Sequence, residues 1–196
     1  MFRRIGCVVA VLVGFVVVAP RPANAAGEPY HASAAASPIA QQNDKDPLTE
    51  DEVDQIRDSA IHPDQRIRLY IKFIGQRLDA LRELESDPSA PHRSVEISDK
   101  LEEFTRLCDE IQDNLDTYDS NHADIRKSLK DLVAASSRWP DEIRAVPADP
   151  NYEFSQKMAI ESANSALDQA KHLSAEQDVY FDVHKKQRHS NGTGPS

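Results

Sequence analysis

One mostly apolar pattern constrains the fold of this chain more than any other feature. From Leu101 to Trp139, mostly apolar residues recur in steps of three and four without a break. The series is Leu101, Phe104, Cys108, Ile111, Leu115, Tyr118, His122, Ile125, Leu129, Leu132, Ser136 and Trp139. Heptad spacing of this kind places every member on one side of an α-helix, as a seam that packs against neighbouring helices. The pattern predicts a single helix from about Ser94 to Arg138, roughly 65 Å long at 1.5 Å per residue.

The acidic residues inside this segment fall on the other side of the predicted helix. The side opposite the seam carries six acidic residues, which is typical of a mostly solvated outer face: Asp109, Asp113, Asp116, Glu102, Glu103 and Glu110. A calcium loop needs oxygen ligands at positions 1, 3 and 5, glycine at 6 and glutamate at 12, and no start within this segment supplies them. The acidic cluster therefore does not indicate an EF-hand.

Further helical segments are expected on both sides of the long one. Thr49 and Glu52 have the spacing of a capping box, and the short helix that they begin runs to about Ser59. Pro63 suits the first turn of the next stretch, which continues to about Ser86. After the proline-containing segment 139–150, a last helix is expected from about Asn151 to Phe181, with a buried stripe of Ile160, Ala163, Leu167 and Ala170. The sequence thus predicts an all-α fold over residues 48–181, an elongated antiparallel three-helix bundle with coiled-coil-like packing.

The two ends of the chain differ from this helical region in composition. Residues 1–25 have the features of a signal peptide: a positive start, an uncharged apolar run from Ile5 to Ala19, and small residues before a cleavage site after Ala25. The run is shorter than the roughly 20 residues that span a bilayer, although retention as an anchor is the alternative. Residues 26–47 are predicted to form a flexible linker and residues 182–196 a disordered tail. The protein is therefore expected to be exported, to the periplasm or beyond the cell, with no transmembrane segment after cleavage.

Charge and cysteine content restrict the partners of the mature chain. Loss of Arg3, Arg4 and Arg21 with the signal lowers the formal charge from −10 to −13. Such an acidic protein repels phosphate backbones, so nucleic acid is not expected as a partner. Only Cys108 remains after cleavage, which excludes an intramolecular disulfide. We interpret Cys108 as a small buried seam residue, with an intermolecular disulfide, and hence self-association, as the alternative.

Three carboxylate–histidine pairs form the sharpest metal hypothesis. The pairs are Asp58 with His62, Asp119 with His122, and Asp168 with His172, each three or four residues apart, a spacing that can place both ligands on one side of a helix, with His62 at a predicted helix junction. In a three-arm bundle they would lie at one level. The alternative interpretation of His122 is a partly buried polar seam residue that fixes helix register. No Glu-x-x-His spacing of the di-iron kind occurs within the predicted helical region 48–181, and we assign no metal, cofactor-binding or catalytic residue.

Short stretches of this sequence resemble a group of uncharacterised exported bacterial helical proteins of unknown function. The resemblance lies in "IRLYIKFIGQRLDALREL", from Ile67 to Leu84, and in "NLDTYD", from Asn114 to Asp119. It implies a helical fold and brings no activity or site residues.

The chain contains no motif that indicates catalysis. There is no G-x-S-x-G, HExxH, P-loop or glycine-rich dinucleotide turn. We therefore expect a non-catalytic protein that acts through protein–protein interaction, as a scaffold, adaptor or chaperone-like module, and that needs no cofactor. The alternative is a bundle that binds a metal or a small ligand.

Overall fold

The computed structural model describes residues 46–191, and the secondary structure in this range is helical, without strands. The helices are α1 (Glu50–Asp58), α2 (Pro63–Ser86), α3 (Arg93–Ser120), α4 (Arg126–Ser136), α5 (Trp139–Ala145) and α6 (Glu153–Asn191). The all-α prediction is confirmed. None of the helices in this part of the chain combines the length and the apolar character needed to cross a membrane. The predicted signal peptide and most of the predicted linker lie outside the described residues.

Helix α1 begins with the predicted capping box. Thr49 accepts a hydrogen bond from the backbone N–H of Glu52, and the Glu52 carboxylate accepts one from the N–H of Thr49 at 2.8 Å. These reciprocal bonds satisfy donors that the first helical turn leaves without partners. Pro63 opens α2 as predicted, because its missing N–H is not needed in a first turn.

Helices α2 and α3 form an antiparallel hairpin. Arg66 lies near Asn114 at one end, whereas Arg77 pairs with Glu103 towards the other. The facing side chains of both helices are buried, among them Phe73, Phe104 and Leu115, with no exposed surface. This hairpin forms one half of the core.

The predicted single helix from Ser94 to Arg138 is wrong, because the chain stops being helical at Ser120 and resumes at Arg126. His122 adopts a left-handed conformation with φ 51°. The N–H groups of His122 and Ala123 donate to the carbonyls of Asp119 and Tyr118, both at 2.9 Å. These are the two bonds of a Schellman motif, with histidine in the position that glycine usually takes. Helix α3 therefore ends in a defined cap, and the chain reverses direction.

Helices α4 and α5 return along α2 as one interrupted arm. Arg68 pairs with Asp131 at 2.9 Å, and the Asp64 carboxylate accepts the N–H of Ser128, so α2 and α4 run in the same direction. Helix α6 is antiparallel to this arm, since Gln177 bonds Ile125 while Gln156 bonds Ile143. Helix α6 also packs along α3, whereas α3 and α4 occupy opposite corners. The predicted three-arm arrangement is thus replaced by four arms: α2, α3, α4 with α5, and α6.

The last two elements also differ from their predicted bounds. The proline-containing segment after Ser136 is partly helical, since Pro140 occupies the first turn of α5. Helix α6 continues to Asn191 instead of ending at Phe181, so residues 182–191, expected to be disordered, are helical. Its buried stripe consists of small residues that let the other helices approach closely, together with a leucine: Ala159, Ala163, Ala166, Ala170 and Leu173. Ile160 and Leu167, predicted in this stripe, are only partly buried.

A buried ionic network attaches α1 to the hairpin. The Arg77 guanidinium donates to both carboxylate oxygens of Glu52 at 2.7 Å and to the carbonyl of Pro47. Its Nε lies 3.0 Å from the Glu103 carboxylate, which Lys100 also approaches at 2.8 Å. Pro47 is buried at this point, which corrects the predicted linker boundary. One arginine thereby joins α1, α2 and α3.

Candidate functional site

The end of the bundle at the α3–α4 turn carries the strongest candidate for a binding site. Gln177 of α6 is 3 % exposed and bonds the turn twice. Its Oε1 accepts the N–H of Ile125 at 3.2 Å, and its Nε2 donates to the carbonyl of Ala123 at 3.1 Å. Gln177 thus fixes the level at which α6 passes the turn.

His122 carries its imidazole from the turn to α6. Its ring is stacked on Tyr180, with 4.9 Å between centroids and 18° between planes. The left-handed backbone of His122 places the ring there, because a helical conformation would continue α3 instead of ending it. The predicted partly buried seam position of His122 is wrong: the residue is exposed and lies outside any helix.

Further rings surround Tyr180 on α6. The His184 centroid lies 4.0 Å from that of Tyr180, and the Phe181 ring stands edge-on to it at 5.0 Å. The Arg126 guanidinium lies 4.8 Å from the Phe181 centroid, a cation–π distance, and is also bound to Asp124. Side-chain hydrogen bonds from Arg126 hold the pKa of Asp124 below its ordinary value. The aromatic group is thereby tied to the first turn of α4.

A cavity of about 600 Å³ opens beside these rings. We call its lining the distal surface; it consists of Asp119, His122, Ala175, Glu176, Gln177, Val179, Tyr180 and Phe181. Val179 is 67 % exposed, and Val183, one turn further along α6, is 45 % exposed. The combination of accessible valines, aromatic rings and two carboxylates suits an amphipathic occupant.

A second cavity, of about 740 Å³, lies between α3 and α6. We call it the acidic groove; its lining is Asp109, Gln112, Asp113, Asp116, Ser165, Asp168, Gln169 and His172. Ser162 donates to Asp109 at 2.9 Å and Gln169 to Asp116 at 2.6 Å, so some of the carboxylates help to join the two helices. The expected solvated outer face is confirmed only in part: Asp109, Asp113 and Asp116 are exposed, but Glu102 and Glu110 are partly buried and Glu103 is buried.

The structure separates the three pairs of the metal hypothesis. Asp119 and His122 line the distal surface, whereas Asp168 and His172 line the acidic groove. Asp58 and His62 are exposed at the α1–α2 junction. Among the side chains that the structure describes, residues 46–184, no three histidine, cysteine or acidic groups are placed so that they could hold a metal ion. The hydrogen bonds of α2 and α6 to α3 keep the pairs at a similar level along the bundle, so what separates them is their position around it.

Cys108 is a free thiol with no exposed surface. Burial, with the charge of Asp109 adding to it, raises the thiol's pKa well above its ordinary value. The interpretation of Cys108 as a small buried core residue is confirmed. A buried neutral thiol is a poor nucleophile, so an intermolecular disulfide would require the bundle to open.

One hydrogen bond between α2 and α3 joins two side chains with shifted pKa values. Neither side chain lines the distal surface or the acidic groove. The Tyr70 hydroxyl donates to the Glu110 carboxylate at 3.0 Å. Burial raises the pKa of Glu110, and burial together with the Glu110 charge raises that of Tyr70. We interpret this pair as part of the hairpin interface.

The sequence did not point to the residues of the distal surface on α6. The sequence pattern places three of them only at the end of the predicted helix: Val179, Tyr180 and Phe181. A signal was present in the "VYF" run beyond the alanine stripe, because apolar residues at an otherwise polar helix end need a partner. No protein-family model, curated protein or solved structure matches this chain, so the site rests on its own geometry.

Proposed function

We propose that this protein is a non-catalytic, exported helical bundle that acts by binding another protein, as a scaffold, adaptor or chaperone-like module. The distal surface carries this proposal. It exposes Val179 and Val183 beside an aromatic cavity, at a position where α6 has passed the α3–α4 turn. Exposed apolar residues grouped beside a cavity, with a polar rim, are typical of protein interfaces.

Export is supported by the sequence of the first 25 residues. A positive start, a 15-residue apolar run and a small-residue cleavage site favour transport to the periplasm or the cell exterior. A binding module with no disulfide then depends on its core and its buried ion network for stability. Both connect residues distant in sequence.

Site-specific photo-crosslinking tests the proposal. A photo-reactive residue at Val179, introduced into the full-length protein in its native host, should capture a discrete partner. The matched control places the same residue at the exposed Ala134 of α4, which lies outside the distal surface. Capture of the same species at both positions, or at neither, would contradict binding through the distal surface.

A small-molecule ligand is the second candidate, favoured by the size of the distal cavity. About 600 Å³ lies within the range of roughly 300–1,000 Å³ found for small-ligand sites. The aromatic rings would hold a flat or apolar body, and Asp119 and Glu176 would orient a positive group. Native mass spectrometry of the protein purified without an affinity tag should then show an added mass that disappears in Tyr180→Ala.

A further inference from the structure

Helices α3 and α6 present a second group of exposed apolar side chains, at the opposite end from the distal surface. Phe154 is 75 % exposed, Val95 is 59 % exposed and Met158 is 37 % exposed. The two helices are in register here, since Ser98 and Ser155 are hydrogen-bonded at 3.0 Å. Val95 precedes Ser98 by three residues, and Phe154 directly precedes Ser155. Val95 and Phe154 therefore lie within about one helical turn of each other, Met158 follows Phe154 by one further turn, and we call the three residues the proximal patch.

The acidic groove continues the same α3–α6 junction beyond this patch. Helical spacing from Phe154 through Met158, Ser165 and Asp168 to His172 follows steps of three, four or seven residues, which keeps these residues on one side of α6. The groove contains four aspartates and no lysine or arginine. Among the described residues, Asp113 and Asp168 form no ion pair. The face is apolar at one end and strongly negative at the other.

We propose that this face docks a basic amphipathic helix of a partner protein. Apolar side chains of that helix would cover Phe154, Met158 and Val95, and its lysines or arginines would lie along the acidic groove. Phe154 and His172 are 18 residues apart, about 27 Å along a helix axis, so five turns of a partner helix would span the face. The face shares no residue with the distal surface, although His172 and Glu176, one from each, lie 3.3 Å apart. Val179 lies outside the face, so variants can test the two surfaces separately.

Charge complementarity decides between a basic partner and a second copy of this chain. Two copies joined at this face would bring eight groove aspartates, four from each copy, into one interface to which neither groove contributes a lysine or arginine. Like charges brought together in this way oppose association. Apolar contact at one end combined with negative charge at the other therefore favours a partner that is positive where this protein is acidic.

Binding of designed peptides to the mature protein tests the proposal. The probe is a synthetic 18-residue amphipathic helix with leucines on one side of its first two turns and lysines on the same side of the rest. Fluorescence anisotropy at about 150 mM salt should show binding, since short-range charge pairs persist when long-range attraction is screened. The same peptide with glutamate in place of each lysine should not bind.

Two sets of variants separate local contact from general attraction. Phe154→Ser and the double variant Asp113→Asn/Asp168→Asn should each weaken binding of the lysine peptide about tenfold or more. The double variant Asp58→Asn/Glu83→Gln removes the same charge from exposed positions elsewhere and should change affinity less than about twofold. Val179→Ser, on the distal surface, should have no effect.

Several results would overturn this proposal and leave the distal surface untouched. One is equal weakening by both double variants, which would show attraction by net charge alone. Another is unchanged affinity in Phe154→Ser, or no binding of the lysine peptide to the parent protein. A third is sedimentation showing a dimer that Phe154→Ser dissociates, which would make a second copy the occupant.

Discussion

His122 is the residue on which the architecture depends most. It is one of two non-glycine residues with positive φ in the described chain, the other being His92 at the start of α3. Histidine tolerates this conformation better than most residues, but a side chain still costs free energy there relative to glycine. The stacking contact with Tyr180 offsets part of that cost and couples the turn to α6.

The stabilities of the His122→Gly and His122→Ala variants should therefore follow the order expected for a turn. Both substitutions remove the imidazole, so their difference reports on the backbone alone. We expect His122→Gly to have a free energy of unfolding about 1 kcal/mol higher than His122→Ala, because only glycine adopts positive φ without strain. Urea titration of both variants measures the difference.

A continuous helix would give the opposite order. In a helix interior, alanine is more stable than glycine by about 0.5–1 kcal/mol. His122→Ala as the more stable variant would therefore contradict the Schellman cap.

Among the helices, the features that depend only on residues within one turn agree with the sequence prediction. The capping box of α1 and the proline start of α2 involve residues within one turn, and both are found as predicted. No reversal after Ser120 is predicted from the sequence, because the turn contains neither glycine nor proline. The spacing from Tyr118 to His122 and Ile125 also continues the heptad count through the turn. Ile125, Leu129 and Leu132 are buried as the pattern requires, but from a different arm.

The distal surface could not be predicted because it depends on that reversal. Only when α4 returns along the bundle does α6 pass the turn and place Tyr180 against His122. A sequence pattern indicates which side of a helix is buried, not which helix covers it.

The network of Glu52, Arg77 and Glu103 makes the attachment of α1 sensitive to charge. We expect Glu52→Gln to lower the free energy of unfolding at pH 7 by about 3 kcal/mol, the lower end of the range for breaking a buried ion pair, since Arg77 keeps Glu103. Exposed Glu50→Gln, in the same turn, should cost no more than about 0.5 kcal/mol. Denaturant titration of both variants measures the losses.

The same network makes the stability of the protein depend on pH. The direction of that dependence follows from the pKa of Glu52. Burial alone would raise the pKa of Glu52, but hydrogen bonds from Arg77 and Thr49 and the charge of Arg77 together lower the pKa below its ordinary value. Its contribution is therefore fully present above the unfolded pKa and is lost as pH falls through the folded pKa. The gap in stability between the parent and Glu52→Gln should shrink on acidification below about pH 5. A gap that stays constant down to pH 3 would show that the Glu52 charge does not hold α1.

At the scale of the whole helical unit, four arms give α6 its binding faces. Helix α6 packs on α3 and on the α4–α5 arm, which leaves one side of it open along the α3 junction and around its end near the turn. Both candidate surfaces lie on this open side. A three-arm bundle with a straight 65 Å helix would have neither the turn nor the cavity beside it.

One distance tests this architecture most directly. Spin labels at Arg106 of α3 and Arg138, between α4 and α5, are placed in the mature chain with Cys108 replaced by alanine, and their separation is measured by pulsed electron paramagnetic resonance. In a continuous helix the two positions would be about 48 Å apart, at 1.5 Å per residue. In the four-arm bundle they lie on opposite corners at nearly the same level, so with neighbouring helices 8–10 Å apart the labels should be less than about 30 Å apart. A distribution centred below about 30 Å is the result we predict, and one centred near 48 Å would contradict the reversal at His122 and the distal surface built on it.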